Sequence, residues 1–572
     1  MLKRLKSVSM MLFLMGASTG AAYAVSNPGI TDVKIAQQDG ACTGIVKDAT
    51  GETVIGASVV VKGTTNGTIT GIDGDFSLSN VKKGDVIVIS FVGYISQEIV
   101  WDGKPVNVTL KDDTQTLDEV VVVGYGTQKK VNVTGAVGMV DSKVIAARPV
   151  QNVSQALQGV IPGLNLTVGN SGGSLDGEMN INIRGTGTIG DGSGSSPLVL
   201  IDGIEGNLNT VNPNDIESVS VLKDAASASI YGARASFGVI LVTTKSGKSG
   251  KTNVNYSGNV RFNDAIGIPE LMDSYTFAQY FNRASSNRGG GDIFSPAVME
   301  RIKAYQEGTL TATTVDNGSG IWQKWANANG NTDWFGEFYD NWVPSQEHNL
   351  SISGGTEKLQ YVLSGSFLDQ KGLLRHGTDK FQRYTLNSKI TANITDWLKV
   401  TLNSKWTRED FQRPTYLTSS FFHNLARKWP VHPAYDPNGF PMDEGEIEQM
   451  ENGGEQNSQK DYYTNQLHVV IEPIKNWRIN LEGSVRTTTQ YQHWEVLPVH
   501  AYDVNGDPYY TVWDMGYGSY SAGSSRVDEY SWKENYYTTN IYSDYFKQFD
   551  NGHYFKAVSY THLRAHETSL HL

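Results

Sequence analysis

Beyond residue 252 one pattern recurs that leaves a chain little choice of fold: apolar and polar residues alternate, segment after segment. Val254, Tyr256, Gly258, Val260 and Phe262 share one face, and Leu359, Tyr361, Leu363, Gly365 and Phe367 repeat it. Tyr384, Leu386, Ser388, Ile390, Ala392 and Ile394 lie back to back with Thr385, Asn387, Lys389, Thr391 and Asn393. Leu398, Val400, Leu402, Ser404 and Trp406 continue the pattern, as do Ile479, Leu481, Gly483 and Val485. A period of two puts successive side chains on opposite faces of an extended chain. About eight such segments of roughly ten residues, with aromatics near their ends, fit an antiparallel transmembrane barrel, lipid outside and water inside. A short turn at Thr395-Asp396 and long polar loops over 263–346 and 410–460 give the expected loop asymmetry. A soluble antiparallel sandwich also alternates. The loop asymmetry and an export signal favour the barrel.

That signal occupies residues 1–24: Lys3, Arg4 and Lys6, an apolar stretch from Val8 to Gly16, then the small-x-small site Ala22-Tyr23-Ala24. The stretch is too short for a spanning helix, and no later one approaches the roughly 20 apolar residues that a helix needs. Membrane crossing would therefore use strands. The 60 glycines and 28 tyrosines suit strands and tight turns. A net charge of -12 argues against a nucleic-acid partner but leaves enzymes and sugar binders open. The only cysteine, Cys42, reads as a small strand residue and allows no internal disulfide.

Residues 41–111 alternate short strands with turns such as Asp73-Gly74-Asp75 and Lys83-Gly84-Asp85, which suits a small antiparallel β-sandwich. The linker 112–130 carries LDEVVVVGYGTQKK. Its β-branched run could add as a strand to the exposed sheet edge of another protein. It could equally be an ordinary internal strand. Residues 131–246 read as α/β: a short helix from Val153 closed by Gly159, strands at Met179–Arg184 and Pro197–Ile201, and a strand–helix–strand unit over 216–244.

The stretch GIVKDATGETVIGASVVVKGTTNGTITGIDGDFSLSNVKKGDVIVISFVGY resembles the carboxypeptidase-regulatory-like domain, a non-catalytic appendage. After it come DEVVVVGYGTQKK, then LQGVIPGLNLTV, INIRGTGTIG, PLVLIDGIEG and NPNDIESVSVLKDAASASIYGARASFGVILVTTKSGK, then the alternating strands. In this order they resemble the SusC/RagA group of TonB-dependent transporters of the Bacteroidetes, over essentially residues 1–557. The resemblance implies a mainly β chain: a regulatory-like sandwich at 41–111, an α/β plug at 131–246 and the first strands of an outer-membrane β-barrel at 252–557. Asp118, Glu119, Val120, Val121, Val122 and Val123 would be the TonB box, pairing with periplasmic TonB energised by ExbB/ExbD. A SusD-like surface lipoprotein would be the partner, and an oligosaccharide, or else a peptide, the imported solute. Arg184 and Arg234, in the best-matching plug segments, would be structural ion-pair partners between plug and wall.

Barrels of this group hold about 22 strands. About eight cannot close, so the chain reads as the N-terminal part of one. From Val558 the text VSYTHLRAHETSLHL loses the alternation and resembles translated sequencing-adapter sequence, so 558–572 reads as a non-native tail.

Other motifs point to no cofactor or metal. Gly185, Gly187 and Gly190 spell G-x-G-x-x-G but run into a Gly/Ser loop instead of opening a helix. Asp73 and Asp75 suggest a calcium loop whose twelfth position is Gly84, not glutamate. His562 and His566 lack the glutamate of H-E-x-x-H. Trp322, Trp325, Trp334, Trp342, Trp429 and Trp494 suit girdle and loop packing better than a sugar platform. Besides the importer, two functions compete: an exported enzyme, for which no acid/base pair or nucleophile arrangement stands out, and a surface adhesion protein.

Overall fold

The computed structural model describes residues 40–48, 51–64, 66–91, 94–111, 120–123, 126–129, 136–148, 150–168, 174–185, 196–511, 523–549 and 553–571. The signal segment, Asp118, Glu119, Gly187 and Gly190 lie outside them. The chain divides into two compact units, Met1–Glu119 and Val120–Leu572.

In the first unit, two sheets face each other. One holds Asp75–Val81, Gly40–Lys47 and Val106–Thr109; the other holds Gly67–Ile69, Ser58–Val61, Val86–Ser90 and Gln97–Val100. Period-two patterning makes the core: Phe76 and Leu78 point inward while Asp75 and Ser77 face out. They meet Val59, Ile87, Ile89, Trp101 and the buried thiol-bearing Cys42. Contrary to a purely antiparallel sandwich, Gly44–Lys47 pairs parallel with Val106–Thr109. The approach at Gly44 requires glycine, since a Cβ there would sit 1.9 Å from the Val106 carbonyl oxygen.

The second unit opens with the plug. Its five-stranded mixed sheet runs Val137–Asp141, Ile216–Leu222, Val239–Thr244, Leu198–Ile201 and Ile204–Glu205. Leu198–Ile201 pairs parallel with Val239–Val242. Asn152 caps the short helix Val153–Leu157 by accepting the Gln155 N–H at 2.9 Å, and Gly159 ends that turn at φ +72°. A hairpin of Leu164–Val168 and Met179–Ile183 completes the plug.

Nine antiparallel strands then form one sheet in chain order. They are longer than the alternating segments suggest, from 13 residues at Val343–Gly355 to 23 at Arg526–Gln548. The long loops accordingly shrink to 264–342 and 415–454. Only the apolar central stretch of each strand carries the alternation that lipid demands; its continuation toward the long loops faces water, where mixed residues serve. Tyr554–His571 pairs with Gln548–Ser531 across the segment read as non-native. Strand addition of this kind uses main-chain groups alone, so it does not depend on side-chain pattern. Among the described residues no helix is long and apolar enough to cross a membrane.

The sheet is inside out by soluble standards. Leu386, Ile394 and Leu467 are exposed, whereas Arg383, Thr385, Asn403 and Thr407 on the opposite face are buried. Long loops join the strands at one end, and turns such as Asp396-Trp397 at the other. The loops pack on one another. Helix Trp334–Phe338 of one loop meets Ser419–Leu425 and Ile447–Asn452 of the next around Trp334, Phe338 and Phe421, while Ser274–Asn287 and Pro296–Gln306 pack with Trp429 and Val431 around Phe294. Trp325 stacks on His432 at 4.6 Å and Trp429 lies 4.8 Å from Phe281, so these tryptophans build loop core. Trp342, Trp397 and Trp477 are exposed, as girdle residues are.

Candidate functional site at the plug and barrel wall

The two-residue turn Asp202-Gly203 joins Leu198–Ile201 to Ile204–Glu205. Both residues have positive φ, +49° and +87°, the geometry that makes Asp-Gly a favoured hairpin dipeptide. This tip delivers one carboxylate to the wall. There the register aligns Lys389, Asn403 and Gln466 directly across three neighbouring strands. Asp202 accepts the Thr244 N–H at 2.9 Å, the Thr244 hydroxyl at 2.7 Å and the Asn403 amide at 3.1 Å. Lys389 Nζ stands 3.4 Å away and Lys405 Nζ closer still, while Gln466 donates to the Asp202 carbonyl at 3.0 Å. Burial works against the charge on Asp202, but Lys405 and Lys389 outweigh it and hold the carboxyl well below the usual carboxylate range.

Elsewhere wall side chains grip the plug by its backbone. Arg383 donates at 2.6 Å to the carbonyls of both Asn209 and Gln151, and Thr407 donates to Thr210 at 3.0 Å. Arg486 reaches the Glu205 carbonyl, and Tyr536 OH its carboxylate at 3.3 Å. Asn212 meets Asn349 at 2.7 Å. Most of these contacts read the plug's main-chain shape, whereas Asp202 joins it to the wall as an ion pair with two lysines.

The arginines expected at this interface sit elsewhere. Arg234 pairs with Glu205 at 2.9 Å inside the plug and is partly exposed. The main-chain N–H of Arg184 donates to the Gly163 carbonyl. The interfacial cations come from the wall instead. Their sequence signal was available: Arg383, Lys389 and Lys405 interrupt the neutral residues of the polar face.

Of the residues expected to form a TonB box, Val120–Val123 form a strand paired antiparallel with Gly126–Lys129. Among the described residues the other edge of Val120–Val123 pairs with no strand. On the long-loop side, a cavity of about 980 Å³ opens between the plug residues Val150, Gln155 and Asp176 and the wall around Arg261, Asp379 and Arg413. A second, of about 320 Å³, lies along the interface near Glu205, Lys405 and Tyr462. Among the described residues no three His, Cys, Asp or Glu side chains stand together as metal ligands.

Residues 129–239 match the TonB-dependent receptor plug domain, and residues 42–122 match the CarboxypepD_reg-like domain. The chain is 37% identical over 375 residues to the TonB-dependent receptor SusC of Bacteroides thetaiotaomicron, covering 64% of this chain and 33% of that protein. It is 33% identical over 393 residues to the TonB-dependent receptor P39 of Formosa agariphila, covering 68% of this chain and 34% of that one. The chain thus spans about a third of the length of the curated relatives it matches. Among solved structures, the RagAB peptide importer in its open-open state shares the fold at a TM-score of 0.59 and 22% identity, over 79% of this chain and 53% of that chain. With plug, regulatory-like domain and an inside-out sheet in this order, the chain is similar to the SusC/RagA-type TonB-dependent receptors, β-barrel proteins of the outer membrane.

Proposed function

We propose that this chain serves TonB-dependent import of a nutrient, an oligosaccharide or else a peptide, across the outer membrane, as the N-terminal part of the importer. It would work through import, without catalysis. Its parts would be the export signal at 1–24, the regulatory-like sandwich at 41–111, the box-bearing linker at 112–130, the plug at 131–246 and barrel strands from 252 to 557, with 558–572 foreign to it. A SusD-like lipoprotein would cover the long-loop side, and TonB with ExbB/ExbD would act from the other.

The observation that carries the reading is the seating of the plug: one buried carboxylate, Asp202, held by two wall lysines, amid donors aimed at plug carbonyls. Such an interface is strong while water is excluded and weak once wetted, because charge pairs lose most of their attraction in high dielectric. TonB would add a strand along Asp118–Val123. Tension would then pass through Gly126–Lys129 to Val137–Asp141, the edge strand of the plug sheet. Behind that edge, Ile216–Leu222 pairs with Val239–Thr244, whose terminal Thr244 holds Asp202. Pulling would thus load the latch through the sheet.

The test deletes residues 118–123 from the receptor in its native cells. Uptake of the solute is expected to stop while binding at the cell surface persists. Undiminished uptake would refute the reading.

A further inference from the structure

The cavity on the long-loop side has an asymmetric lining. One wall is apolar, with Ile266, Ile268, Leu374, Leu417 and Phe422. The rest is charged: Asp379, from the short loop after Leu359–Lys371, and Asp176 from the plug share the lining with Asp264, Arg261, Lys371 and Arg413. Asp379 is fixed in place: its main-chain oxygen accepts the Gly372 N–H at 2.8 Å, and a Cβ on Gly372 would lie 1.9 Å from its Oδ2. Its Oδ1 is buried and meets no hydrogen-bond donor among the described residues. The nearby cation does not fill that role, because Arg413 Nε donates at 2.8 Å to Gln456 and its guanidinium lies over the Phe411 ring.

A half-buried carboxylate with one oxygen lacking a donor is costly, and a ligand cation is the group that relieves it. A neutral sugar hydroxyl offers a weaker bond and brings no opposing charge. Resting on the import reading above, we infer that this cavity takes a ligand bearing a primary ammonium group, placed on Asp379 with Asp176 beside it. The ammonium of an amino sugar and that of a peptide N-terminus supply the same chemistry. The apolar wall then takes the uncharged remainder of either. Burial pushes the Asp379 carboxyl up to about 6, with Arg413 opposing and Asp176 adding to the shift, which is the direction expected of a site awaiting a cation.

The experiment is calorimetric titration of the receptor purified from outer membranes in detergent, with a glucosamine trimer and with trialanine, each against its N-acetylated form. The free amine of at least one pair is expected to bind about tenfold tighter, the worth of a charge-assisted hydrogen bond. Asp379→Asn should erase that preference and Asp379→Glu should keep it. Preference confined to the glucosamine pair assigns an amino sugar; preference confined to trialanine assigns a peptide. Equal affinity for free and acetylated forms in both pairs overturns the inference, as does a preference that survives Asp379→Asn. Should that variant fail to fold, the unaltered receptor still decides, because a preference that does not weaken below pH 6 overturns the inference equally. These titrations need no TonB. Loss of the preference leaves the import reading standing, and undiminished uptake after deletion of 118–123 leaves the cavity chemistry standing.

Discussion

The regulatory-like sandwich and the barrel wall use one sequence rhythm to opposite ends. In Asp75–Val81 the alternation hides Phe76 and Leu78, at 4% and 2% exposure, and turns aspartate and serine outward. In Lys380–Thr395 it hides Arg383 and Thr385, at 4% and 5%, and turns out Leu386 and Ile394 at 57% and 58%. Both obey the same rule, that each face matches its surroundings. What differs is the surroundings: a second sheet packs on the apolar face of the first, and lipid would cover the apolar face of the other. Period two therefore identifies a strand with two unlike faces and leaves open which face meets water. Loop asymmetry, the export signal and the charged residues of the polar face decide it.

If the wall's inner face is a polar core, breaking its best-connected charge should cost as much as breaking an apolar one. Asp202→Ala would strand Lys389 and Lys405 in a buried site. The expected loss is about 3–5 kcal/mol of plug seating, the range for an uncompensated buried charge. Protease sensitivity of the plug in increasing urea would measure it. The matching change in the sandwich, Leu78→Ala, is expected to cost about 2–5 kcal/mol, read by thermal unfolding of the same receptor. A wall that tolerates Asp202→Ala would mean that the backbone-directed donors alone hold the plug.

The outer face gives the next contrast. Leu386→Arg places a charge among lipid tails and should lower barrel stability by about 2–4 kcal/mol near the bilayer midplane. Arginine at exposed Ile69 of the sandwich should change stability by less than about 0.5 kcal/mol, as surface changes do. Equal effects at the two positions would remove the distinction between a lipid face and a water face, and heat-modifiability on gels checks the first directly.

Fold and site were not equally legible in the sequence. Strands, plug and sandwich could be read because their patterns are local: alternation at Leu386–Ile394, the glycine at 159. Strand ends were misplaced because residues such as Arg413 and Glu455 lie past the lipid band, where neither face need be apolar. Helix Ser274–Asn287 was folded into a polar loop, although Asp273 caps it by accepting from Tyr275 and Thr276. The interface was the hardest to foresee. Asp202 was visible only as a turn residue, and nothing in the chain order places it against Lys405, 203 positions on. A long-range ion pair is a property of register, and register emerges only when the sheet is assembled.

The smallest effect expected is one of pH, and it separates the cavity from the latch. Asp202, held low by its lysines, stays ionised, and its contribution to plug seating should fade only as pH falls below the ordinary aspartate range. Asp379 is shifted the other way, to about 6, with Arg413 and Asp176 facing it and Lys371 at the cavity rim. It is ionised at pH 7 and mostly protonated at pH 5, while a peptide N-terminal ammonium, with an ordinary pKa of about 7.7–8.0, stays mostly charged throughout. Affinity for the free amine should therefore fall about tenfold between pH 7 and 5, one pKa unit below the midpoint being a factor of ten. The Asp202 contribution to plug seating should not change over the same interval. Asp202, paired with two wall lysines, should be indifferent to a pH change that the half-buried Asp379, without a direct cation partner among the described residues, registers.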